Sequence, residues 1–285
     1  MSSPRRLLKA GGLRPRKSMG QHFLADRNVA ASIVRRAHLD LDDVVLEIGA
    51  GLGALTMPLA AQVKRVLAVE PDSRIAAILE EELLSANISN VTIIERDILR
   101  CDIKALSEES DAPLKVVGNL PYHISSQVLI RLIHFREAID TAFLTFQKEV
   151  AERLTAEPGT KIYGRLSVLI QYCAKIYPVL AVAASAFFPK PKVGSQVVGV
   201  EFQHPVSFQA TDERLLFQVV KAAFGKRRKT LRNALSGSNL GLGDEPISAG
   251  LELAGIDPKR RAETLSVEEF VTLSNQLKRP GLSPQ

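Results

Sequence analysis

Cysteine is nearly missing from this chain: only Cys101 and Cys173 occur in 285 residues, far apart and without paired spacing. No zinc or disulfide framework can be read from two such residues, no metal site is expected, and a reducing, cytoplasmic setting fits. Long apolar runs are missing too. None approaches the roughly 20 residues of a membrane span, so no membrane partner is expected. The first 17 residues hold no acid. They also lack the apolar core, roughly 7–15 residues long, of a secretory signal. A G-K-[ST] loop is missing, which removes a nucleoside-triphosphatase reading. No fixed-period repeat is present.

What is there describes a soluble folded chain. Hydrophobic residues make up 46% and charged residues 24%, enough for a core and too balanced for a disordered polyelectrolyte. The net charge of +6 favours an anionic partner, usually nucleic acid. Six cations (Arg5, Arg6, Lys9, Arg14, Arg16, Lys17) stand in the first 17 residues. Gly11, Gly12 and Pro15 break any helix there, so residues 1–19 read as a flexible basic arm, either a solubilising tail or a nucleic-acid contact.

From Asp26 the pattern becomes helical, with Val29, Ile33, Val34 and Ala37 at three- and four-residue spacing. Short apolar runs then alternate with helical stretches. They are Val44–Ile48, Val66–Val69, Val91–Ile94, Lys115–Gly118 and Ala142–Phe146, with two later strands over Ile176–Val182 and Gln196–Phe202. Nearly all-apolar strands alternating with helices indicate a parallel sheet covered on both faces. The pair His204-Pro205 marks a boundary, after which residues 205–285 read as a small helical domain. Residues 20–204 are the expected catalytic domain and 205–285 an RNA-binding accessory domain.

Ligands of such sheets bind beyond the carboxyl ends of the strands. Four ends carry polar or glycine residues: Gly49, Glu70, Asp97 and Asn119. The turn Glu47 to Gly53 does not have the dinucleotide spacing G-x-G-x-x-G. An acid two residues before Gly49 suits a ligand with a cationic sulfonium and an amino group better than a pyrophosphate. Gly49 and Gly51 would let the backbone approach it. Glu70 is placed to accept from ribose hydroxyls. Asp97 is placed either to accept from an adenine amine or to cap the turn at Ile98.

Asn119-Leu120-Pro121-Tyr122 carries the chemistry. A base's exocyclic amine is a weak nucleophile because its lone pair is delocalised into the ring. The Asn119 side-chain oxygen and the Leu120 carbonyl could accept both N–H bonds, turning the lone pair toward an electrophilic methyl. Pro121 stiffens the turn and removes a competing N–H. Tyr122 offers a flat face for stacking. Phe187, flanked by Lys190 and Lys192, is the expected second aromatic wall. A basic segment (Lys221, Lys226, Arg227, Arg228, Lys229, Arg232) reads as an RNA-backbone contact on a helix, with a solvated helix face as the alternative.

Gly20-Gln21-His22-Phe23-Leu24, Glu47 to Gly53, Glu70, Asp97, Asn119 to Tyr122, Phe187 to Ser195 and Phe224 to Asn233 follow one another over residues 20 to 233. In these segments the chain resembles the KsgA-type 16S rRNA adenine-N6,N6-dimethyltransferases. The resemblance implies a Rossmann-like S-adenosylmethionine-dependent methyltransferase fold, with a mostly parallel seven-stranded sheet and a small C-terminal α-helical domain. It implies dimethylation of two adjacent adenosines in a hairpin loop near the 3′ end of 16S rRNA in the 30S subunit, with a role in small-subunit biogenesis. It also implies that His22 and Leu24 close over the cofactor, that Gly49 approaches its methionine part, Glu70 its ribose and Asp97 its adenine, and that Asn119 touches cofactor and target. His22 departs from many members, which carry Asn there, and adds a titratable group.

The runner-up is a 23S rRNA adenine-N6-methyltransferase of the antibiotic-resistance type; the Phe-x-Pro-x-Pro-Lys-Val and Arg-Arg-Lys segments point away from it. A DNA adenine methyltransferase would carry Asp/Asn-Pro-Pro-Tyr. A non-catalytic ribosome-assembly factor on the same fold is the reading from a different class. A monomer is expected, because no long exposed apolar helix is evident.

Overall fold

The computed structural model describes residues 3–16, 19–226 and 228–277. They divide into two compact units, Met1–Ala151 with Ile176–Phe202, and Glu152–Lys175 with Gln203–Gln285. In chain order the elements begin with α1 (Pro4–Ala10), β1 (Phe23–Leu24), α2 (Arg27–Arg36), β2 (Val44–Ile48), α3 (Thr56–Ala60), β3 (Arg65–Val69) and α4 (Ser73–Ser85). Next come β4 (Val91–Ile94), α5 (Ile103–Glu108), β5 (Leu114–Asn119), α6 (Ser125–His134), β6 (Ile139–Gln147), α7 (Lys148–Leu154) and α8 (Arg165–Cys173). Then follow β7 (Ala174–Val182), β8 (Phe187–Phe188), β9 (Ser195–Phe202), α9 (Glu213–Ala223), α10 (Leu231–Ser236), α11 (Asp244–Leu253) and α12 (Val267–Gln276).

Seven strands form one sheet in the order β4-β3-β2-β5-β6-β9-β7, and β1 with β8 makes a separate antiparallel ribbon. From β4 through β6 neighbouring strands pair in parallel, while β9 runs antiparallel to β6. The apolar strands suit this arrangement: every residue of β2 is buried. A side chain such as Leu46, fully enclosed, contributes about 1.5–3 kcal/mol by leaving water. The chain builds outward from β2 to β3 and β4, then returns to lay β5 on the other side of β2. The direction of winding therefore reverses between β2 and β5, and a crevice opens at their carboxyl ends.

Two boundaries differ from the sequence reading. Residues 4–10, expected within a flexible arm, form a helix. Ser3 caps it by accepting from the Arg6 amide, Pro4 occupies the first turn, and Pro4, Leu7 and Leu8 make a buried stripe. Gly11 and Gly12 end the helix rather than prevent it; Lys17 lies outside the described residues. Residues 152–175 group with the C-terminal unit, because α8 packs on α9: Tyr172 meets Phe217 edge to face at 6.0 Å, and the Gln203 amide donates to the Cys173 carbonyl.

The C-terminal unit closes on itself around Phe270, Leu235 and Val219, all fully buried. Three of its helices, α9, α10 and α12, start at side-chain caps. Asp212 accepts from the Leu215 amide, Thr230 from Asn233, and Ser266 and Glu269 cap each other's backbone reciprocally. Arg260 forks onto the Glu269 carboxylate, which holds that carboxyl below its usual range.

Candidate active site

The crevice is built first from glycines. Gly49, Gly51 and Gly53 follow β2 with φ of 76°, 54° and 86°, values that side chains with a Cβ rarely adopt. At Gly51 a Cβ would also come within 3.2 Å of the Phe23 ring. The Gly49 and Ala50 amides donate to the Val69 carbonyl, which ties this turn to the end of β3.

Glu70 follows β3 and is 6% exposed. Its two oxygens accept from the Gly51 and Asp72 amides, each at 3.0 Å, so the carboxylate is locked across the glycine turn. Burial raises its pKa, while these amides pull it down and the Asp72 charge raises it. Asp97 follows β4 and caps the next turn, accepting from the Leu99 amide at 2.9 Å. It also lines the crevice, so capping the turn does not remove it from the cavity wall.

Asn119 ends β5. Its Nδ2 donates to the His22 carbonyl at 2.9 Å, which turns Oδ1 away from that bond as the acceptor left for a ligand. The turn continues with the Ile124 amide donating to the Pro121 carbonyl and the Ser125 hydroxyl to the Tyr122 carbonyl. The Tyr122 hydroxyl shares a 2.7 Å hydrogen bond with the Ser195 hydroxyl. Burial pushes the Tyr122 phenol up. One face of Tyr122 stacks on His22, with centroids 5.5 Å apart and planes 27° from parallel, while His22 Nδ1 lies 2.7 Å from the Pro189 carbonyl.

Two cavities meet here. One, of about 210 Å³, is lined by His22, Glu70, Asp97 and Asn119 through Tyr122. The other, of about 320 Å³, is lined by Leu24, Asp26, Glu47, Leu55 and Met57. Phe23, Gly49, Gly51 and Asn119 belong to both. Glu47 is 1% exposed, and its Oε2 has no hydrogen-bond partner. Burial pushes its carboxyl up to about 8, with the neighbouring Thr56 side chain pulling down and Glu70 pushing further up. An orphaned, strongly buried acid beside an open cavity is a site for a cationic group.

Most of the expected cofactor and target residues thus surround one crevice, but Phe187 does not. It is 4% exposed and packs in the core with Leu24, Phe143 and Val197. The ribbon explains this: Leu24 pairs with Phe187, both inward, and Phe188 turns instead toward Leu7, Phe23 and Leu52. His22, not Phe187, is the ring on Tyr122. Among the basic residues, Lys190 and Lys192 are exposed in the sheet unit. Lys226, Arg228, Lys229 and Arg232 are exposed in the C-terminal unit, and Arg227 lies outside the described residues. The expected single helix beneath them is interrupted. A 3-10 turn, Phe224–Lys226, follows α9, and α10 starts afresh behind the Thr230 cap. Sequence reasoning placed Ser195 at the end of the Phe187 to Ser195 segment and Asp26 at the start of a helix, but gave neither a role in the crevice, where Ser195 holds Tyr122 and Asp26 lines a cavity.

The family model for ribosomal RNA adenine dimethylases matches residues 12–279. The chain is 49% identical over 277 residues to the ribosomal RNA small subunit methyltransferase A of Desulforapulum autotrophicum, covering 97% of each. It is 43% identical to the protein of that name from Bacillus mycoides, over 92% of this chain and 91% of the other. Among solved structures it resembles a dimethyladenosine transferase from Plasmodium falciparum, with a TM-score of 0.72, 26% identity and coverage of 88% and 96%. It also resembles the 23S rRNA methyltransferase ErmE, with a TM-score of 0.68, 26% identity and coverage of 90% and 99%.

Proposed function

The chain belongs to the ribosomal RNA adenine dimethylase family, and from that premise we infer that it dimethylates the N6 amines of two adjacent adenosines in a hairpin loop near the 3′ end of 16S rRNA. The fold is that of Rossmann-like S-adenosylmethionine-dependent methyltransferases with a C-terminal helical part. S-Adenosylmethionine is the methyl donor and rRNA the substrate class. No helix among the described residues is long and apolar enough to cross a membrane.

The observation that carries the finer reading is the position of Asn119 where the two cavities meet. The donor supplies an electrophilic methyl on a cationic sulfur. In this reading Glu47 faces its amino group, Leu24, Gly49 and Gly51 line its methionine part, Glu70 takes the ribose hydroxyls and Asp97 the adenine. His22, just before β1, closes over it. Asn119 Oδ1 and the Leu120 carbonyl accept the two N6–H bonds, and Tyr122 supports the base. Transfer is an in-line displacement helped mainly by positioning, and the alkylated amine then sheds a proton. The exposed cations Lys190, Lys192, Lys226, Arg228, Lys229 and Arg232, with Arg227, hold the rRNA backbone. The protein acts as a cytoplasmic monomer on the 30S subunit, in small-subunit biogenesis.

The ErmE likeness keeps 23S rRNA in view, but it rests on 26% identity, against 43–49% to proteins named for the small subunit. Incubating 30S subunits and 23S rRNA separately with protein and donor, then mapping methylated nucleotides by mass, tests both. Dimethyladenosine pairs near the 16S 3′ end are expected. Methylation of 23S rRNA alone would overturn the reading. Tight 30S binding with no transfer would favour an assembly factor.

A further inference from the structure

We propose that α1 is a clamp on the methyl-donor cavity whose outer face grips the substrate RNA, so that RNA binding and cofactor retention reinforce each other. This rests on the donor and rRNA assignments above. The helix lies outside the residues matched by the family model, which begin at 12.

Two faces of the helix argue for two tasks. Pro4, Leu7 and Leu8 fall at three- and four-residue spacing and are buried. Leu7 and Leu8 pack with Phe23, Leu52, Ile75 and Ile78. Phe23 and Leu52 are themselves walls of the cavity at Glu47, and Ser3 and Pro4 line that cavity directly. The seat is close-fitting, since a Cβ on Gly11 would come within 2.9 Å of Ile78 Cδ1. Further along, Arg16 reaches the buried carboxylate of Asp72, the residue whose amide holds Glu70, at 3.5 Å. The segment is thus tied down at both ends of the crevice.

The opposite face carries Arg5, Arg6 and Lys9, again at three- and four-residue spacing and all exposed. None of the three forms an ion pair among the described residues. Three free cations on a helix that walls a methyl-transfer site meet phosphates when a polynucleotide occupies that site. Each contact they make presses α1 onto Phe23 and Leu52, and so onto the donor.

The test uses the full chain, with calorimetric titration of S-adenosylhomocysteine, the donor without its transferable methyl, standing in for the donor in the presence and absence of unmethylated 30S subunits. Deleting residues 1–12 should raise the donor Kd at least about fivefold and speed its dissociation. A Leu7→Ser/Leu8→Ser variant should do the same with the chain length kept. Arg5→Gln/Arg6→Gln/Lys9→Gln should leave the donor Kd without RNA unchanged. It should weaken 30S binding, lower the slope of log affinity against log salt by about two, and abolish the tightening of donor binding by 30S subunits. Donor affinity unchanged by both the deletion and the serine variant would overturn the clamp. An unchanged salt slope in the triple variant would overturn its RNA face. If the unmodified chain takes up no donor, the assignment of the crevice fails first and the clamp with it.

Discussion

Ser195 and Tyr122 share a 2.7 Å hydrogen bond that joins the start of β9 to the turn after β5. Ser195 is 3% exposed and sits opposite Gln147 at the end of β6, so its hydroxyl is a fixed post. The bond sets the plane of the ring on which the target base is expected to stack. Ser195→Ala should therefore cost about 0.5–1.5 kcal/mol of transition-state binding, roughly a two- to tenfold loss in kcat/KM for RNA. Donor affinity should stay unchanged, and Ser195→Thr should restore activity. Single-turnover methylation with a parallel donor titration separates these outcomes.

Asn119→Ala should lower kcat by roughly a hundredfold or more, because it removes an acceptor placed for the transition state. RNA binding measured by filter retention should change little. Tyr122→Ala should weaken transfer by about 1–3 kcal/mol through lost stacking. Equal losses from Asn119→Ala in RNA binding and in kcat would contradict the acceptor role.

Glu47 makes a pH prediction. Its carboxyl stands at about 8 in the folded chain against 4.5 for the ordinary group. The unfolded chain releases this proton above 4.5, whereas the folded one holds it until about 8. The stability it contributes is fully present below 4.5 and is lost as pH rises through 8, on the order of a few kcal/mol. Glu47→Gln should flatten that decline in denaturation curves of the unliganded protein. Donor binding has the opposite sign, since a cationic amine favours ionised Glu47. Affinity should climb between pH 6 and 7 by up to about tenfold in the native chain, and stay level in the Gln variant.

Phe187→Ala should act on stability before activity. Emptying a buried phenylalanine site costs about 3–5 kcal/mol, visible as a lower Tm. Phe187→Leu, which keeps the core filled, should leave the KM for RNA unchanged. A rise in that KM with unchanged Tm would return Phe187 to the base site.

The parts of the fold that sequence reached were those with one dominant local cause. Continuous apolar runs gave β2 through β6, and the glycine, acid or amide at each of four strand ends gave the crevice. Phe187 went wrong because the flanking Lys190 and Lys192 say nothing about which way a strand residue points; its pairing with Leu24 decides that, and the two lie 163 positions apart. The amphipathic stripe of α1 was readable in Pro4, Leu7 and Leu8, but the density of cations drew attention to the wrong face. Ser195 stood in a matching segment, but its part at the site was not legible there, because it depends on a tyrosine 73 residues away.

The pair of cavities meeting at Gly49, Gly51 and Asn119 also bears on how the enzyme recovers after each transfer. The spent donor keeps both of its ends and loses only a methyl group and a positive charge. With the donor seated as proposed, nearly every contact along the crevice would survive the reaction, and the by-product should compete with fresh donor on almost equal terms. Two methyls per base require that exchange between transfers. By-product that accumulates should therefore slow turnover by competition, and removing it enzymatically from an assay should raise the steady-state rate without altering the first turnover.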